Sequence, residues 1–163
     1  MKNYKIVNDL TGWFVFAIAA FTYCMTIEPT ASFWDCPEFI TTAAKLEVGH
    51  PPGAPFFMLF GNLFAQFASD ASQVAMMINI MNALLSAGCI LFLFWSVTHF
   101  AKKLIVRDDA KSVSLSKTIA IMASGVAGAL IYTWSDTFWF SAVEGEVYAF
   151  SSFITALVFW LIL

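Results

Sequence analysis

The sequence predicts an all-α membrane protein, with about four transmembrane helices and amphipathic or re-entrant helices in a large first outer loop. Three observations carry this. Of 163 residues, 60% are hydrophobic and only 12% charged, whereas a soluble domain carries roughly 25% charged residues. Apolar stretches over about 10–27, 74–100, 118–133 and 147–163 approach the roughly 20 residues that cross a bilayer. Lys102, Lys103, Arg107, Lys111 and Lys117, five of the eight basic residues, share the segment 101–117, which the positive-inside rule places in the cytosol.

Each element follows from that topology. Residues 1–10 are polar, and 10–27 read as a retained first span. A cleaved signal peptide is the competing reading, but Tyr23-Cys-Met-Thr-Ile-Glu-Pro29 offers no small-residue cleavage site. Residues 28–73 then form the outer loop. Within it 54–68 are apolar but too short to cross, so they are expected to be interfacial or re-entrant, with Pro55 in a first helical turn. Asn62, Gln66 and Ser69 recur at helical spacing and give that segment a wetter face.

The second span, 74–100, carries Asn79, Asn82 and Ser86 on one stripe, to bond neighbouring helices or to line a polar cavity. Ser124, Gly125 and Gly128 give the third span, 118–133, a small-residue packing surface. Trp134, Phe138, Trp139 and Phe140 read as an aromatic belt at the outer interface. The fourth span ends the chain in the apolar run Val158–Leu163, so 1–163 reads as one transmembrane domain that continues in a longer protein. Cys24, Cys36 and Cys89 form no CxxC pair, which argues against a zinc site or disulfide framework. No basic face suits nucleic acid.

Eight of the eleven acidic residues fall outside or at the outer edge, and Asp35, Glu38, Lys45, Glu47 and His50 crowd one stretch with Trp34, Cys36 and three prolines. Charged groups beside a bilayer are costly unless they serve a site. Asp35-Cys-Pro-Glu38 has a structural reading as a helix start: Asp35 caps the free amides, Pro37 enters the first turn, Glu38 closes a capping box, and Gly49 stops the helix after Val48. Its functional reading is a general base, Asp35, with Glu38 tuning it, orienting an acceptor or sharing a divalent ion. The metal reading is the weaker, and no metal or cofactor is assigned. His50-Pro-Pro-Gly53 is either a rigid turn with a solvated His50 or a fixed donor to a phosphate or sugar oxygen. Glu146 is expected to face the cavity. Tyr148 is an interface anchor or a substrate contact.

Trp34-Asp-Cys-Pro-Glu-Phe-Ile40 followed by Gly49-His-Pro-Pro-Gly-Ala-Pro-Phe56 resembles the first outer loop of a multi-spanning family, long of unknown function, related to protein O-mannosyltransferases in the GT-C superfamily of membrane glycosyltransferases. Glu144-Gly-Glu-Val-Tyr148 resembles a later family segment. The resemblance implies a GT-C-like N-terminal part and an inverting transferase. Its donor would be a polyprenyl-phosphate-linked sugar, with mannose the candidate, and its acceptor a protein Ser or Thr hydroxyl. It implies Asp35 as base with Glu38 as accompanying acid. Trp34, Lys45, His50, Glu146 and Tyr148 are the expected substrate contacts, and the partners are donor, protein acceptor and membrane lipid. The expected location is a bacterial inner membrane with the site facing the periplasm. A transporter or flippase using the same acids, or a non-catalytic membrane subunit, is the alternative.

Overall fold

The computed structural model describes residues 4–51, 53–106 and 113–163. Arg107, Asp108, Asp109 and Lys111 of the expected cytosolic loop, and Pro52 of the HPPG element, lie outside them. Among the described residues all regular structure is helical: α1 (Tyr4–Met25), α2 (Cys36–Lys45), α3 (Pro55–Ala65), α4 (Val74–Ile105), α5 (Leu115–Thr133), α6 (Asp136–Ala142) and α7 (Val147–Ile162). Helices α1 and α5 are long and apolar enough to span, and so is α4 with the short 3-10 turn before it. Helices α6 and α7, bent by 110° at the break between them, add a fourth span if counted as one. The protein is an all-α membrane protein.

Helix α4 is the axis of the bundle, packed by α1, α5 and α7 along its length and by α3 near its start. Its 32 residues rise about 48 Å, well beyond the roughly 30 Å of a hydrocarbon core. The surplus lets its N-terminal turns stand among α2, α3 and the irregular segments around them. Two apolar clusters result. One joins α1, α4, α5 and α6 through Val15, Ala19, Ile90, Phe94 and Ile121. The other seats α2 and α3 on the head of α4 through Phe39, Ile40, Phe57, Ile78 and Met81.

Helices α2 and α3 are tied by polar contacts as well. Asn62, on the face of α3 read as wetter, donates from Nδ2 to the carbonyls of Ala43 and Ala44, at 3.1 and 2.9 Å, and so caps the C-terminal end of α2. That end differs from expectation. Helix α2 stops at Lys45, before Val48 and Gly49, because Leu46 turns left-handed (φ 54°) and Glu47 N–H reaches back to Thr42 O. Tyr23 Oη donates to Thr133 O at 2.9 Å, and Trp139 Nε1–H to Thr26 Oγ1 at 2.8 Å, joining α1 to α5 and α6. Of the aromatic belt, Phe138 is buried against Tyr23 and Tyr132, while Trp134 and Phe140 stay exposed.

Of the small residues on α5, Gly125 is the one that sets helix spacing: a Cβ there would lie 2.6 Å from Thr98 Cγ2 and 2.8 Å from Phe94, whereas one at Gly128 meets only Val97 at 3.8 Å. Overpacking of a tight interior costs about 1–3 kcal/mol. Gly125→Ala should therefore lower the thermal midpoint of the purified protein measurably, while Gly128→Ala leaves it within error. Equal effects would contradict this packing.

Candidate functional site

The site is assembled on the head of α4 by two asparagines. Asn79 Nδ2 donates to the carbonyls of Glu28 and Thr30, at 2.6 and 3.0 Å. Asn82 Nδ2 donates to the carbonyls of Glu144 and Glu146, the latter at 2.7 Å. Both side chains are wholly buried. One turn of α4 thus holds the chain leaving α1 and the chain entering α7. Glu28 N–H also donates to Val143 O at 3.1 Å, lacing those two segments together. Gly145 makes the approach possible, since a Cβ there would sit 2.8 Å from both Asn79 Oδ1 and Ile40 Cγ1. With Gly145 pressed on α4, Glu144 and Glu146 are both left largely buried beside it.

A cleft of about 710 Å³ opens there. Trp34, Asp35, Glu144, Glu146 and Tyr148 line it, together with the buried Ser86 and the exposed Tyr132. Segments more than a hundred residues apart in sequence therefore meet at one cavity. Asp35 occupies the N-cap position of α2 and Pro37 its first turn, but the Asp35 side chain makes no capping bond. The expected capping box is absent for a visible reason: Glu38 is turned outward to His50. Its Oε1 accepts His50 N–H at 2.7 Å and its Oε2 lies 3.1 Å from His50 Nδ1. Asp35 is thereby left with a free carboxylate at the cleft mouth. The residue before it, Trp34, is held at φ +60°, a conformation costing a non-glycine residue about 1–3 kcal/mol, and its ring is almost fully exposed.

The seven expected site residues separate into three groups. Trp34, Asp35, Glu146 and Tyr148 line the cleft. Glu38 and His50 sit behind Asp35, with His50 Nε2 3.9 Å from Asp35 Oδ2. Lys45 stands exposed at the opposite end of α2, about 15 Å along the helix. Sequence reasoning did not single out Glu144 by itself, although the Glu-Gly-Glu spacing around a glycine carried the signal. It read Asn79 and Asn82 only as helix contacts or cavity lining.

The acids differ in electrostatics. Hydrogen bonds from the His50 backbone and ring hold Glu38 below the usual carboxylate range. Burial pushes Glu144 and Glu146 above it; Glu28 adds to the first effect, Glu144 and Asp35 to the second, and a hydrogen bond with Ser32 opposes it at Glu144. Burial also raises the Cys36 thiol, which disfavours the thiolate a nucleophile needs. Asp35, Glu38 and His50 bring donor atoms within 4.8 Å of one another, a spacing that admits a divalent ion. Both Glu38 oxygens engage His50 in this arrangement, while the Asp35 carboxylate makes no hydrogen bond among the described residues.

The raised carboxyls fix a sign. Each keeps its proton to higher pH folded than unfolded, where the ordinary value of 4.5 holds. Their favourable contribution is complete below that value and is lost as pH rises through the folded one. Glu146→Gln should therefore be more stable than wild type at pH 7 and no more stable at pH 4 by thermal unfolding; parallel pH curves would contradict the burial. Asn82→Ala should cost about 1–3 kcal/mol by stranding two carbonyls, detected in the same assay.

Comparison with known proteins shows the family of the chain. Residues 35–163 match the family model described as the protein O-mannosyl-transferase TMEM260 N-terminal domain. "Protein O-mannosyl-transferase tmem260" of Dictyostelium discoideum is 24% identical over 153 residues, covering 90% of this chain and 16% of that protein. "Protein O-mannosyl-transferase TMEM260" of Mus musculus is 26% identical over 144 residues, 88% of this chain and 18% of the relative. The chain thus spans less than a fifth of the curated relatives it matches. Both are eukaryotic and lend no support to a bacterial inner membrane or a periplasmic site. No solved structure matches significantly. The matched segment begins at Asp35 and takes in helices α2 to α7, and the chain belongs to the TMEM260 N-terminal domain family.

Proposed function

We propose that this chain forms the donor- and acceptor-binding head of a glycosyltransferase that moves a sugar, mannose by the names of its relatives, from a polyprenyl-phosphate carrier to a protein Ser or Thr hydroxyl on the non-cytosolic face. The observation that carries the reading is the uncapped Asp35 carboxylate at the mouth of a cleft whose inner wall is Glu144 and Glu146. As the acceptor oxygen bonds to the anomeric carbon and the carrier phosphate departs, Asp35 takes the hydroxyl proton. General-base assistance of this kind is worth about 10²- to 10⁴-fold.

Other features fit the same substrates. Glu144 and Glu146, with their raised proton affinity, can donate hydrogen bonds to sugar or phosphate oxygens, which eases an anionic donor into an acidic cleft. The N-terminus of α7 adds a positive dipole end there. Trp34 and Tyr148 offer exposed rings to a sugar face. Lys45, at the far end of α2, could meet the carrier phosphate only from outside the cleft. Tyr132, Ser135 and Ser152 are shared with a second, mostly apolar groove of about 680 Å³ between α4, α5 and α7, wide enough for an isoprenoid tail.

The test uses the intact protein in detergent, with extracted polyprenyl-linked sugars and Ser/Thr peptides, read by mass spectrometry. Asp35→Asn should lose about 10²- to 10⁴-fold in transfer rate while eluting and melting like wild type. Equal transfer by both proteins would contradict the assignment of Asp35.

A further inference from the structure

Asp35 must shed the proton it takes before the next turnover, and among the described residues Glu38 and His50 are the ionisable groups gathered behind it, of which His50 stands between the two carboxylates. Both oxygens of Glu38 point at His50, one accepting its backbone N–H and the other facing Nδ1 at 3.1 Å. An ionised carboxylate only accepts hydrogen bonds, so Nδ1 carries the proton in this contact. A neutral imidazole so oriented has a bare Nε2. That Nε2 lies 3.9 Å from Asp35 Oδ2. Two acceptors facing each other should stand off at such a distance, and should close to a hydrogen bond once one of them gains a proton.

We infer that His50 is a positioning residue that relays the acceptor's proton, resting on the transferase reading above: Glu38 fixes the Nδ1–H tautomer, and Nε2 receives the proton from Asp35 and passes it to water. The step balances. The acceptor O–H breaks as oxygen bonds to the anomeric carbon, and the carbon–phosphate oxygen bond breaks with its electron pair leaving on the carrier phosphate. The proton moves to Asp35 Oδ2 and then to His50 Nε2, forming an imidazolium between two carboxylates. The His50 side chain is 45% exposed, so water can reach the ring and take the proton from Nε2, restoring the neutral imidazole with its proton on Nδ1. Phe39 packs against the ring, centroids 5.7 Å apart, and limits its rotation. On the cleft side Asp35 faces Glu146, whose raised proton affinity makes it a poor exit. The arrangement is a carboxylate–imidazole–carboxylate chain with the logic of an oriented base.

Two measurements on the full-length protein test this. In the transfer assay, His50→Ala should fall about 10²-fold, and added imidazole should restore much of the loss, but not in the His50→Ala, Asp35→Asn double variant. The variant should still fold, because the His50 backbone N–H to Glu38 remains. Wild-type rate in His50→Ala, or loss without imidazole rescue, would reduce His50 to a loop latch and overturn the relay alone. Loss of wild-type activity on chelation, restored by Mn²⁺, would give the cluster to a cation and also overturn it. An inactive wild type would overturn the transferase reading and the relay with it. Independently of activity, ¹⁵N spectra should show the His50 resonance, identified by its absence in His50→Gln, as the Nδ1–H tautomer, shifting in Glu38→Gln. An Nε2–H tautomer in wild type would contradict the relay.

Discussion

The cleft of this protein depends on two amide side chains of one helix turn. Asn79 and Asn82 are wholly buried, and each donates twice to backbone carbonyls of segments that have no regular structure of their own. A buried carbonyl left unpaired costs about 1–3 kcal/mol, so these four bonds let irregular chain be packed against apolar helices. They also set the register. Glu146 N–H bonds to Glu144 O at 3.0 Å, and that tight turn, pinned by Asn82, aims both carboxyls at the cavity. Moving Asn82 by one position would place it on another face of α4 and release the turn.

The same constraint explains why the acids differ in character. Glu144 and Glu146 are drawn inward with the turn that bears them and lose water; Asp35 and Glu38 sit on a short helix rooted by Phe39 and Ile40 and keep theirs. One cleft therefore carries a solvated carboxylate at its mouth and proton-holding carboxyls within. Groups whose surroundings push their proton affinities apart can divide acid and base work between them. In the proposed transfer reaction, the solvated Asp35 would take the base role and the buried pair would hold substrate oxygens.

Much of the fold was legible because hydrophobic runs and clustered lysines need only one-dimensional information. The apolar stretches lie on α1, α4, α5 and α7, and 54–68 contains the short helix α3. Ends were less legible. Leu46 in a left-handed conformation is an unfavourable choice for a residue with a side chain, held by backbone bonds from Leu46 and Glu47 to Ala43 and Thr42, and no local rule would prefer it to Gly49 as the stop. In the site, the crowding of Asp35, Glu38 and His50 was visible from composition alone. Its internal wiring was not, because Asp-x-x-Glu after an apolar residue fits a capping box equally well, and only the fold shows His50 taking Glu38 away. The pairing of Asn79 and Asn82 with chain roughly fifty and sixty residues distant lies beyond any periodicity argument.

The central claim is that the cleft between Asp35 and Glu146 is where the sugar is handled. A cryo-EM structure of the intact protein with a non-transferable polyprenyl-phosphate sugar analogue addresses it most directly. The account predicts sugar density between Asp35 and Glu146, with Trp34 or Tyr148 against a ring face and the lipid tail leaving past Tyr132 and Ser152. Sugar density elsewhere, with this cleft filled by the protein's own further segments, would contradict it.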